Sequence, residues 1–391
     1  MNVYDNHGWT MKYVRLLDVT LDPVMPSDLA SLLCLRGQRL EVRAGRNVEL
    51  PLDLTAGEKR LGRAGMWEKY VMPVVRELGD PAAPGWPPDS LKKYDRTTFF
   101  EFLRGQGASP DAAALLGMGG LGDGVRSVSA LDLLRESAHR AAMKRAYRIR
   151  GGSDVFPRAF AARLSDRIRY GTPVVRIEYG PCQVRAVCLH AGGRESVTAD
   201  RLICAVPFSV LRRIEISPPF SAGKQRAVDQ LLYTSVARVY LQTRRRFWVE
   251  EGLSGGAVTD RSSLLVYDGA ASQPGTRGIL ESYLSGPQAR EVTAMKEAER
   301  VSSTLGLVEQ IHPRVRQHFE VGASKCWDED EWARGAYAWF RPGQMTSLLP
   351  QVAGAEGRVH FAGEHASSLP GWMQGALESG NRAAREVNDA L

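Results

Sequence analysis

Apolar residues recur at three-to-four-residue spacing in the first third of the chain, and this spacing predicts helices. It is clear in residues 29–33, in residues 66–78 and in residues 130–148. A loop rich in proline and glycine, residues 79–89, separates two of these predicted helices. We therefore interpret residues 1–145 as a mainly helical region.

After residue 150 the pattern changes to short strands. A polar turn at residues 151–154 can cap a helix over residues 156–164, and a β-branched run predicts a strand at residues 172–177. Two alternating segments around a glycine-rich turn predict a hairpin, and an apolar run then predicts a buried strand of a layered α/β domain. These segments are residues 183–190, 194–198 and 201–206.

The remainder of the chain combines further strands with helices. Alternation predicts strands at residues 235–248 and 278–284, and a long helix follows at residues 286–312. Near the end of the chain, a short apolar strand precedes a helix with one face of small or apolar residues. These two elements are predicted at residues 358–362 and 373–387.

Length and composition are those of an ordinary globular protein. The 391 residues are 43% hydrophobic and 24% charged, which allows two domains with a sizeable buried core. No stretch contains the eighteen or so apolar residues that a membrane helix needs, and residues 1–9 lack an apolar signal-peptide core. We therefore predict a cytoplasmic protein with no membrane partner.

The cysteines suggest neither a metal site nor a disulfide framework. There are 5, an odd number, they are scattered, and none has CxxC spacing. Three lie in apolar, strand-like runs, where we interpret them as small buried hydrophobic residues. These three are Cys182, Cys188 and Cys204.

The basic residues are spread along the chain. The formal net charge is +7, and the triplet Arg244-Arg245-Arg246 is the one run of three basic residues. A nucleic-acid surface more often has clustered basic residues with interleaved aromatic residues. We therefore expect no nucleic-acid partner.

The last sixty or so residues contain the strongest chemical signal. Glu364 directly follows a predicted strand, where α/β folds place ligand-binding groups. A helix starting near Trp372 and Met373 offers free N–H groups and the positive end of its dipole to an anion. Gly375 and Gly380 are costly inside a helix and indicate close approach of another group. From spacing alone, an ordinary terminal strand and helix that close a core, with a solvated Glu364, explain this pattern better, because a strand, a turn and a helix in succession are common.

Residues 359–365 (VHFAGEH) and 370–380 (PGWMQGALESG) together resemble the closing FAD motif of the flavin amine oxidases, the family of monoamine, polyamine and L-amino-acid oxidases. The resemblance implies bound FAD. It implies that the glutamate contacts the ribose or pyrophosphate region and that the Gly-Trp-Met segment lies against the isoalloxazine ring. A helix start there would stabilise the negative charge of a reduced flavin. By position, the implied cofactor-binding residues are Gly363, Glu364, Gly371, Trp372 and Met373.

Three further segments resemble the same family in the same order. Residues 151–157 (GGSDVFP) are similar to the segment before the central helix of the FAD domain. Residues 172–175 (TPVV) are similar to the segment whose backbone meets the adenine, which points to Val174. Residues 327–339 are similar to the tryptophan and Gly-Gly/Ala-x-Tyr run beside the flavin, which points to Trp327.

The fold that the resemblance implies is α/β with two domains. A layered FAD-binding domain would comprise residues 146–215 with residues 353–391, and a mixed-sheet substrate-binding domain would comprise residues 216–352. Residues 1–145 would form the helical, substrate-side insertion. We expect this fold to be N-terminally incomplete.

The family's phosphate-binding unit is the first point of departure. The family opens with a strand, a Gly-x-Gly-x-x-Gly turn and a helix that hold the FAD pyrophosphate, and this chain does not open in that way. The literal match at residues 117–122 follows a predicted helix at residues 111–116, so we interpret it as a glycine-rich loop. The family's Gly-Gly-Arg segment, which often supplies an arginine to a substrate carboxylate, is also not found.

Two single residues also differ from the family pattern. Arg238 stands where the family usually has a lysine close to flavin N5; the alternative is an arginine that faces solvent from a strand. Ala336 stands where monoamine oxidases with covalent flavin have a cysteine. The resemblance therefore implies non-covalent FAD.

The implied reaction is hydride transfer from the Cα–H of a neutral amine to the flavin. The imine then hydrolyses to a keto acid or aldehyde and ammonia, while O2 reoxidises the flavin and yields hydrogen peroxide. Because residues 370–373 resemble the amino-acid-oxidase branch most, we expect an L-amino acid as substrate. Aromatic rings could position the amine, although simple core packing is an alternative for Trp339. The residues expected at the reacting face are Trp372, Tyr337, Trp339 and Arg238.

Two other functions stay open at this point. The chain could be a non-catalytic fragment, or one subunit of a heteromeric flavin oxidase whose partner supplies the phosphate-binding motif. An absent first strand would leave an open sheet edge. The chain could also be a related flavin desaturase or oxidase, although the pair Trp372-Met373 argues against this. A homo-oligomer is compatible with each of these functions.

Overall fold

The computed structural model describes residues 2–25, 28–83, 85–119, 123–260 and 264–390. The strands are numbered in chain order. They are β1 (Val3–Tyr4), β2 (Leu21–Pro23), β3 (Ala30–Leu35), β4 (Gln38–Val42), β5 (Ala146–Ile149), β6 (Val174–Tyr179), β7 (Val184–His190), β8 (Gly193–Ala199), β9 (Leu202–Cys204), β10 (Glu215–Ser217), β11 (Leu232–Tyr233), β12 (Val236–Thr243), β13 (Leu253–Thr259), β14 (Leu264–Asp268), β15 (Gly278–Ser285), β16 (Phe319–Cys326), β17 (Ala338–Trp339) and β18 (Val359–Phe361).

The helices are numbered in the same way. They are α1 (Gly8–Leu16), α2 (Ala56–Tyr70), α3 (Met72–Glu77), α4 (Phe99–Gly105), α5 (Pro110–Leu116), α6 (Ala130–Ala141), α7 (Val155–Arg163), α8 (Phe208–Leu211), α9 (Ala222–Gln230), α10 (Phe247–Glu250), α11 (Gly286–Thr293), α12 (Glu297–Ile311), α13 (Val315–His318), α14 (Gln344–Ser347), α15 (Leu349–Ala353) and α16 (Met373–Asp389). No helix within the described ranges is long and apolar enough to cross a membrane.

A seven-stranded mixed sheet forms one layer of the protein, in the order β16-β12-β15-β14-β13-β3-β4. Buried and half-buried residues alternate along β12, because successive side chains of a strand point to opposite faces of the sheet. Helices α11 and α12 pack against β12 and cover one face. The sheet and these helices share a hydrophobic core that includes Val239, Leu241 and Leu305.

Smaller sheets form the part of the fold that contains the predicted FAD-binding segments. Strands β10, β6, β7 and β8 make a four-stranded sheet, and β9 pairs in parallel with β18. Helix α16 packs along β18 and against α1. The predicted hairpin of β7 and β8, the helix α7, the strand β18 and the helix α16 are all confirmed.

The helical region is held together by its own core and by defined helix starts. Helices α2 to α6 contribute to a cluster that includes Met66, Phe102 and Leu134. Helix α2 begins with a capping box, in which Thr55 and Glu58 each accept from the other's backbone N–H. A positive φ of 63° at Gly62 then kinks α2. The positive φ favours glycine there, and a Cβ atom would also lie 2.5 Å from Oδ1 of Asn47.

Several predicted elements are corrected by the structure. Residues 29–33 are not helical, because β3 pairs with β4 and β13 in the large sheet and most of its side chains are buried. The helix predicted at residues 130–148 ends at Ala141, and β5 follows between β1 and β2. The helix predicted at residues 286–312 is divided between Thr293 and Glu297. Cys182 is exposed, whereas Cys188 and Cys204 are buried as predicted.

Lys224 is a buried cation close to the strand β18. Its Nζ atom donates to the Val352 carbonyl at 2.9 Å and lies 3.7 Å from the centre of the Phe361 ring. Burial is the main cause that lowers the pKa of Lys224 from 10.5 to about 7. The folded protein therefore releases this proton at a lower pH than the unfolded chain does.

This shift predicts that the Lys224 contribution to stability increases with pH. Between about pH 7 and pH 10.5 the unfolded chain binds a proton that the folded protein lacks. The free energy of unfolding should therefore rise by up to about 1.4 kcal/mol per pH unit in this window. In Lys224→Met, this rise in the free energy of unfolding with pH should be absent. Urea unfolding of both proteins at pH 7 and pH 9 measures it, and a stability difference that is the same at both pH values would contradict the prediction.

Candidate active site

Trp372 stands at the start of α16, surrounded by polar and aromatic side chains from distant segments. Its ring nitrogen donates to Oε2 of Glu136 at 3.0 Å. The rings of His7 and His139 meet the indole edge to face, with centroids 5.2 Å and 5.5 Å away. The guanidinium carbon of Arg140 lies 5.3 Å from the centre of the indole. Trp372 is thus held in one orientation.

The two histidines beside Trp372 are neutral near pH 7. Burial, with a smaller effect of the neighbouring His139, lowers the pKa of His7 to about 4. Burial also lowers the pKa of His139. Their Nε2 atoms lie 3.1 Å apart and the rings are stacked. The charged groups near the indole are therefore Glu136 and Arg140 rather than these histidines.

Tyr337 lies beside Trp372. A Cβ atom at Gly371, where φ is 80°, would lie 3.1 Å from the Tyr337 ring, so the ring packs against the backbone directly before Trp372. The hydroxyl of Tyr283 donates to that of Tyr337 at 3.3 Å. Burial raises the pKa of Tyr337 well above its ordinary value, which keeps the phenol neutral. The structure thus brings two of the predicted reacting-face residues together.

Glu364 joins the two segments that carry these rings. One carboxylate oxygen accepts from the N–H of Ala338 at 3.2 Å, and the other accepts from the N–H of Gly371 at 2.6 Å. Burial raises the pKa of Glu364, although these two bonds oppose that effect. The carboxylate is enclosed, so the alternative of a solvated Glu364 is wrong. Its position after β18 therefore fixes the Tyr337–Trp372 arrangement.

Arg238 lies on β12 and connects to this arrangement through Tyr283. It forms an ion pair with Glu281, and its guanidinium carbon lies 5.0 Å from the centre of the Tyr283 ring. Its side chain is 23% exposed, so the alternative of a solvent-facing arginine is wrong. The guanidinium is held by a carboxylate and an aromatic ring, on the strand opposite Tyr283.

The other predicted site residues lie on separate elements. Trp339 is 2% exposed on β17, and its ring nitrogen is buried without a hydrogen-bond partner. Trp327 follows β16 and lies under the Lys325 ammonium. Val174 begins β6. The N–H of Gly363 donates to the Ser379 hydroxyl of α16 at 2.9 Å.

Of the two glycines in α16, only Gly375 is required by a close approach. A Cβ atom there would lie 2.1 Å from the carbonyl oxygen of Leu369, so the loop before the helix touches its first turn. Gly380 has nothing within 4 Å of that position. The predicted close approach is thus confirmed for Gly375 and wrong for Gly380.

A cavity of about 420 Å³ lies in the helical region, and two of its wall residues contact Trp372. Glu136 and Arg140, which both contact the indole, belong to its wall together with Arg63. Sequence reasoning missed all three residues. The spacing of Glu136 and Arg140, four apart on a predicted helix, was a visible signal for an ion pair but not for a site. Most of the other wall residues are apolar, among them Trp67, Phe99, Leu116, Met118 and Leu133.

Comparison with known protein families identifies the family to which this chain belongs. The sequence model described as flavin containing amine oxidoreductase matches residues 90–388, well over half of the chain. The chain belongs to this family. The family predicted from the closing motif is therefore confirmed, and with it an oxidoreductase function.

Two relatives named as amino-acid oxidases are similar to this chain over most of its length. An L-amino-acid oxidase of Demansia vestigiata is 26% identical over 400 residues, which cover 100% of this chain and 76% of that protein. The flavin-dependent L-tryptophan oxidase RebO of Lentzea aerocolonigenes is 34% identical over 267 residues, which cover 66% of this chain and 54% of that protein.

Solved structures of family members share the fold. A redesigned triple mutant of putrescine oxidase superimposes with a TM-score of 0.86 at 20% identity, over 100% of this chain and 87% of that one. Cyclohexylamine oxidase from Brevibacterium oxydans IH-35A gives 0.82 at 19% identity, over 100% and 87%. The predicted two-domain α/β fold of the flavin amine oxidases is thereby confirmed.

The residues around Trp372 fit the ring end of a flavin. Helix α16 begins without a side-chain cap, so its positive end is available to an anionic edge. The buried Trp339 ring nitrogen is a donor without a partner. For the pyrophosphate, the one Gly-x-Gly-x-x-Gly match follows the helix α5 rather than a strand, as predicted, and residues 120–122 of it lie outside the described residues.

Proposed function

We propose that this flavin amine oxidoreductase is an FAD-dependent oxidase of an L-amino acid that releases the keto acid, ammonia and hydrogen peroxide. The carrying observation is the pairing of Trp372 and Tyr337 at the uncapped start of α16, beside a cavity walled by two arginines. The names of two relatives, an L-amino-acid oxidase and an L-tryptophan oxidase, support this substrate class. FAD is proposed to be non-covalent because Ala336 precedes Tyr337.

Flavin, if bound at this site, would supply the two-electron chemistry of amine oxidation, with O2 as the final electron acceptor. The protein residues orient the substrate. The Trp372 and Tyr337 rings flank the amine and hold it in a reactive orientation. Arg238 is proposed to act at this face through Tyr283. Trp339 is also proposed to line this face, from its buried position on β17.

The remaining roles follow the order of the motifs. We propose that the backbone of Val174 meets the adenine, that Trp327 lies beside the flavin, and that Glu364 contacts the FAD ribose region in addition to its backbone partners. Gly363, Gly371, Trp372 and Met373 complete the proposed FAD contacts. The domain boundaries at residues 146–215 with 353–391, and 216–352, and a cytoplasmic location, are part of the same proposal.

A second candidate is that the chain acts together with a partner subunit that supplies the pyrophosphate-binding unit. Among the described strands, β9 and β18 pair only with each other, and parallel sheets are normally larger and covered on both faces. Ile203 on β9 is 41% exposed. An additional strand beside this pair would extend the sheet and cover apolar surface.

An absorbance spectrum of the purified chain tests the proposal, first as isolated and then with mixed L-amino acids in the absence of O2. Flavin bands that bleach on addition of the amino acids, and return with O2, are expected. A protein that stays colourless after incubation with FAD would overturn activity of this chain by itself and favour the two-subunit candidate. Flavin bands that amino acids leave unchanged, while simple amines bleach them, would contradict the substrate class.

A further inference from the structure

Asp132, in the first turn of α6, holds a segment of the candidate site rather than its own helix. Ser129 and Asp132 have the spacing of a capping box, in which each side chain accepts from the other's backbone N–H. Here the N–H of Phe340 donates to Oδ2 of Asp132 at 3.0 Å, and the N–H of Ser129 donates to the Phe340 carbonyl at 2.8 Å. The hydroxyl of Ser129 donates to Oδ1 of Asp95 at 2.8 Å. The groups that could cap α6 are therefore used to hold other segments, chiefly Phe340.

Phe340 belongs to the segment that carries Tyr337. It directly follows β17, whose two residues Ala338 and Trp339 pair with β11. So short a strand fixes little backbone by itself, and the bonds at its ends contribute much of its placement. Glu364 holds the segment at Ala338, and Asp132 holds it at Phe340. The position of the Tyr337 ring therefore depends on the bond that Asp132 accepts.

The same face of α6 holds Trp372 about one turn further along. Asp132, Glu136 and His139 are spaced by four and then three residues, which places them on one side of the helix. Oε2 of Glu136 accepts from the Trp372 ring nitrogen at 3.0 Å, and the His139 ring meets the indole edge. Four residues advance a helix by about 6 Å, so α6 sets the separation between the Tyr337 segment and Trp372.

The Asp132 carboxylate is enclosed with a single arginine. Oδ1 of Asp132 accepts from Nη2 of Arg135 at 2.6 Å, and the two side chains are 1% and 3% exposed. Burial raises the pKa of Asp132, although Arg135 and the Phe340 N–H oppose that effect. A buried ion pair is weak evidence of a stabilising role, because the loss of hydration offsets the attraction. Its place beside the candidate site argues for a role in geometry.

We propose that Asp132 is a positioning residue for amine oxidation, which places the Tyr337 segment against the Trp372 ring that Glu136 holds from the same helix. The inference rests on the proposed oxidase function. Asp132 acts through the Phe340 backbone and is not itself a catalytic residue. A displaced Tyr337 ring would misalign the amine more than it would weaken binding, so kcat should fall more than KM rises.

Two double variants separate the Phe340 bond from the ion pair. Asp132→Asn with Arg135→Met keeps an acceptor for the Phe340 N–H and buries no unpaired charge, whereas Asp132→Leu with Arg135→Met also removes the acceptor. With the L-amino acid that the wild type oxidises fastest, the Asp132→Asn double variant should keep kcat within about threefold. The Asp132→Leu double variant should lose at least about tenfold in kcat, with a smaller change in KM. Equal losses in both would assign the effect to the ion pair and overturn the inference.

Fluorine NMR gives a second readout that needs neither flavin nor turnover. The chain is labelled with fluorotryptophan, and the Trp339 resonance is assigned with Trp339→Phe. This resonance should shift in the Asp132→Leu double variant and stay near its wild-type position in the Asp132→Asn double variant, because Trp339 directly precedes Phe340. An unchanged Trp339 resonance in the Asp132→Leu double variant would show that Asp132 does not place this segment.

Glu58→Ala is the matched control. Glu58 is also 1% exposed and accepts from a backbone N–H of another segment, that of Ser109, at 2.8 Å. Its other bonds lead to Thr55 and Tyr70 rather than to the Tyr337 segment or Trp372. Glu58→Ala should lower the free energy of unfolding, since it leaves enclosed donors without an acceptor, but should leave the Trp339 resonance unchanged. A comparable shift in this variant would reduce the Asp132 effect to general loosening and overturn the inference.

The two readouts distinguish failure of this inference from failure of the proposed function. Oxidation by the wild type with the same kcat in both double variants would refute the role of Asp132 while the oxidase function stands. Trp339 shifts in the expected pattern, without oxidation of any L-amino acid by the wild type, would refute the oxidase function alone, because Asp132 would still place the segment.

Discussion

Replacement of Glu364 by alanine is expected to lower the free energy of unfolding by about 2–5 kcal/mol and to abolish flavin retention. The carboxylate accepts from the N–H groups of Ala338 and Gly371, and its removal leaves two enclosed donors without an acceptor. The segments that carry Tyr337 and Trp372 would then lose their common anchor. Urea unfolding and the flavin-to-protein absorbance ratio measure the two effects.

Glu101→Ala is the control for this experiment. Glu101 also accepts from a loop N–H, that of Thr98, but it is exposed and belongs to the start of α4. Loss of its capping box should cost only about 1 kcal/mol and leave flavin binding unchanged. Glu364→Gln should be intermediate, because the amide keeps one acceptor oxygen. If Glu364→Ala is no less stable than Glu101→Ala, the bridging role of Glu364 is wrong.

Trp372→Leu is expected to reduce kcat/KM for the amino-acid substrate by roughly a hundredfold, while the fold persists. The indole is oriented by Glu136 and by edge contacts with His7 and His139, and it is proposed to position the amine. A small misplacement of a reacting group is enough for a loss of this size. Peroxide formation under steady-state conditions gives kcat/KM, and circular dichroism reports the fold.

Trp332→Leu makes the same chemical change at a distant surface. Trp332 is 58% exposed, and it should tolerate the substitution with activity within about twofold, because exposed positions seldom affect function or stability. A Trp372 variant that retains the activity of the Trp332 variant would remove Trp372 from the reacting face.

The sequence predicted the C-terminal strand, turn and helix best, because the residues that determine these elements are contiguous along the chain. Strand β18, the turn at Glu364 and the helix α16 follow one another within about thirty residues, so local pattern and motif both apply. Residues 29–33 were mistaken for a helix because a strand buried on both faces lacks alternation, and pairing with β13 and β4 decides its conformation.

Helix ends depended on partners that sequence does not reveal. After Ala141 the residues Met143 and Lys144 are good helix formers, and it is the pairing of β5 with β1 and β2 that ends the helix. At the start of α12 the carboxylate of Glu299 accepts from the N–H of Lys296, a contact that the structure reveals and the lysine at this position does not predict.

The candidate site likewise contains some residues that motifs reveal and others that only tertiary packing brings together. Trp372, Tyr337 and Glu364 were identified through motifs, and the structure brings them together. Arg63 and Arg140 are 77 positions apart on helices without a motif, and only the packing of α2 near α6 places both in one cavity wall. Contacts of this kind arise from tertiary structure, which the spacing of residues along one chain does not encode.

The kink in α2 has a consequence for how this enzyme can diverge. Position 62 favours glycine, because its φ is 63° and a Cβ atom there would lie close to the side-chain oxygen of Asn47. Any replacement there would redirect the half of the helix that begins with Arg63. In a screen for altered substrate preference, mutations at Gly62 should therefore be recovered alongside those in the cavity wall, although Gly62 is not part of that wall. Specificity in this lineage would then evolve through backbone geometry as readily as through side-chain exchange.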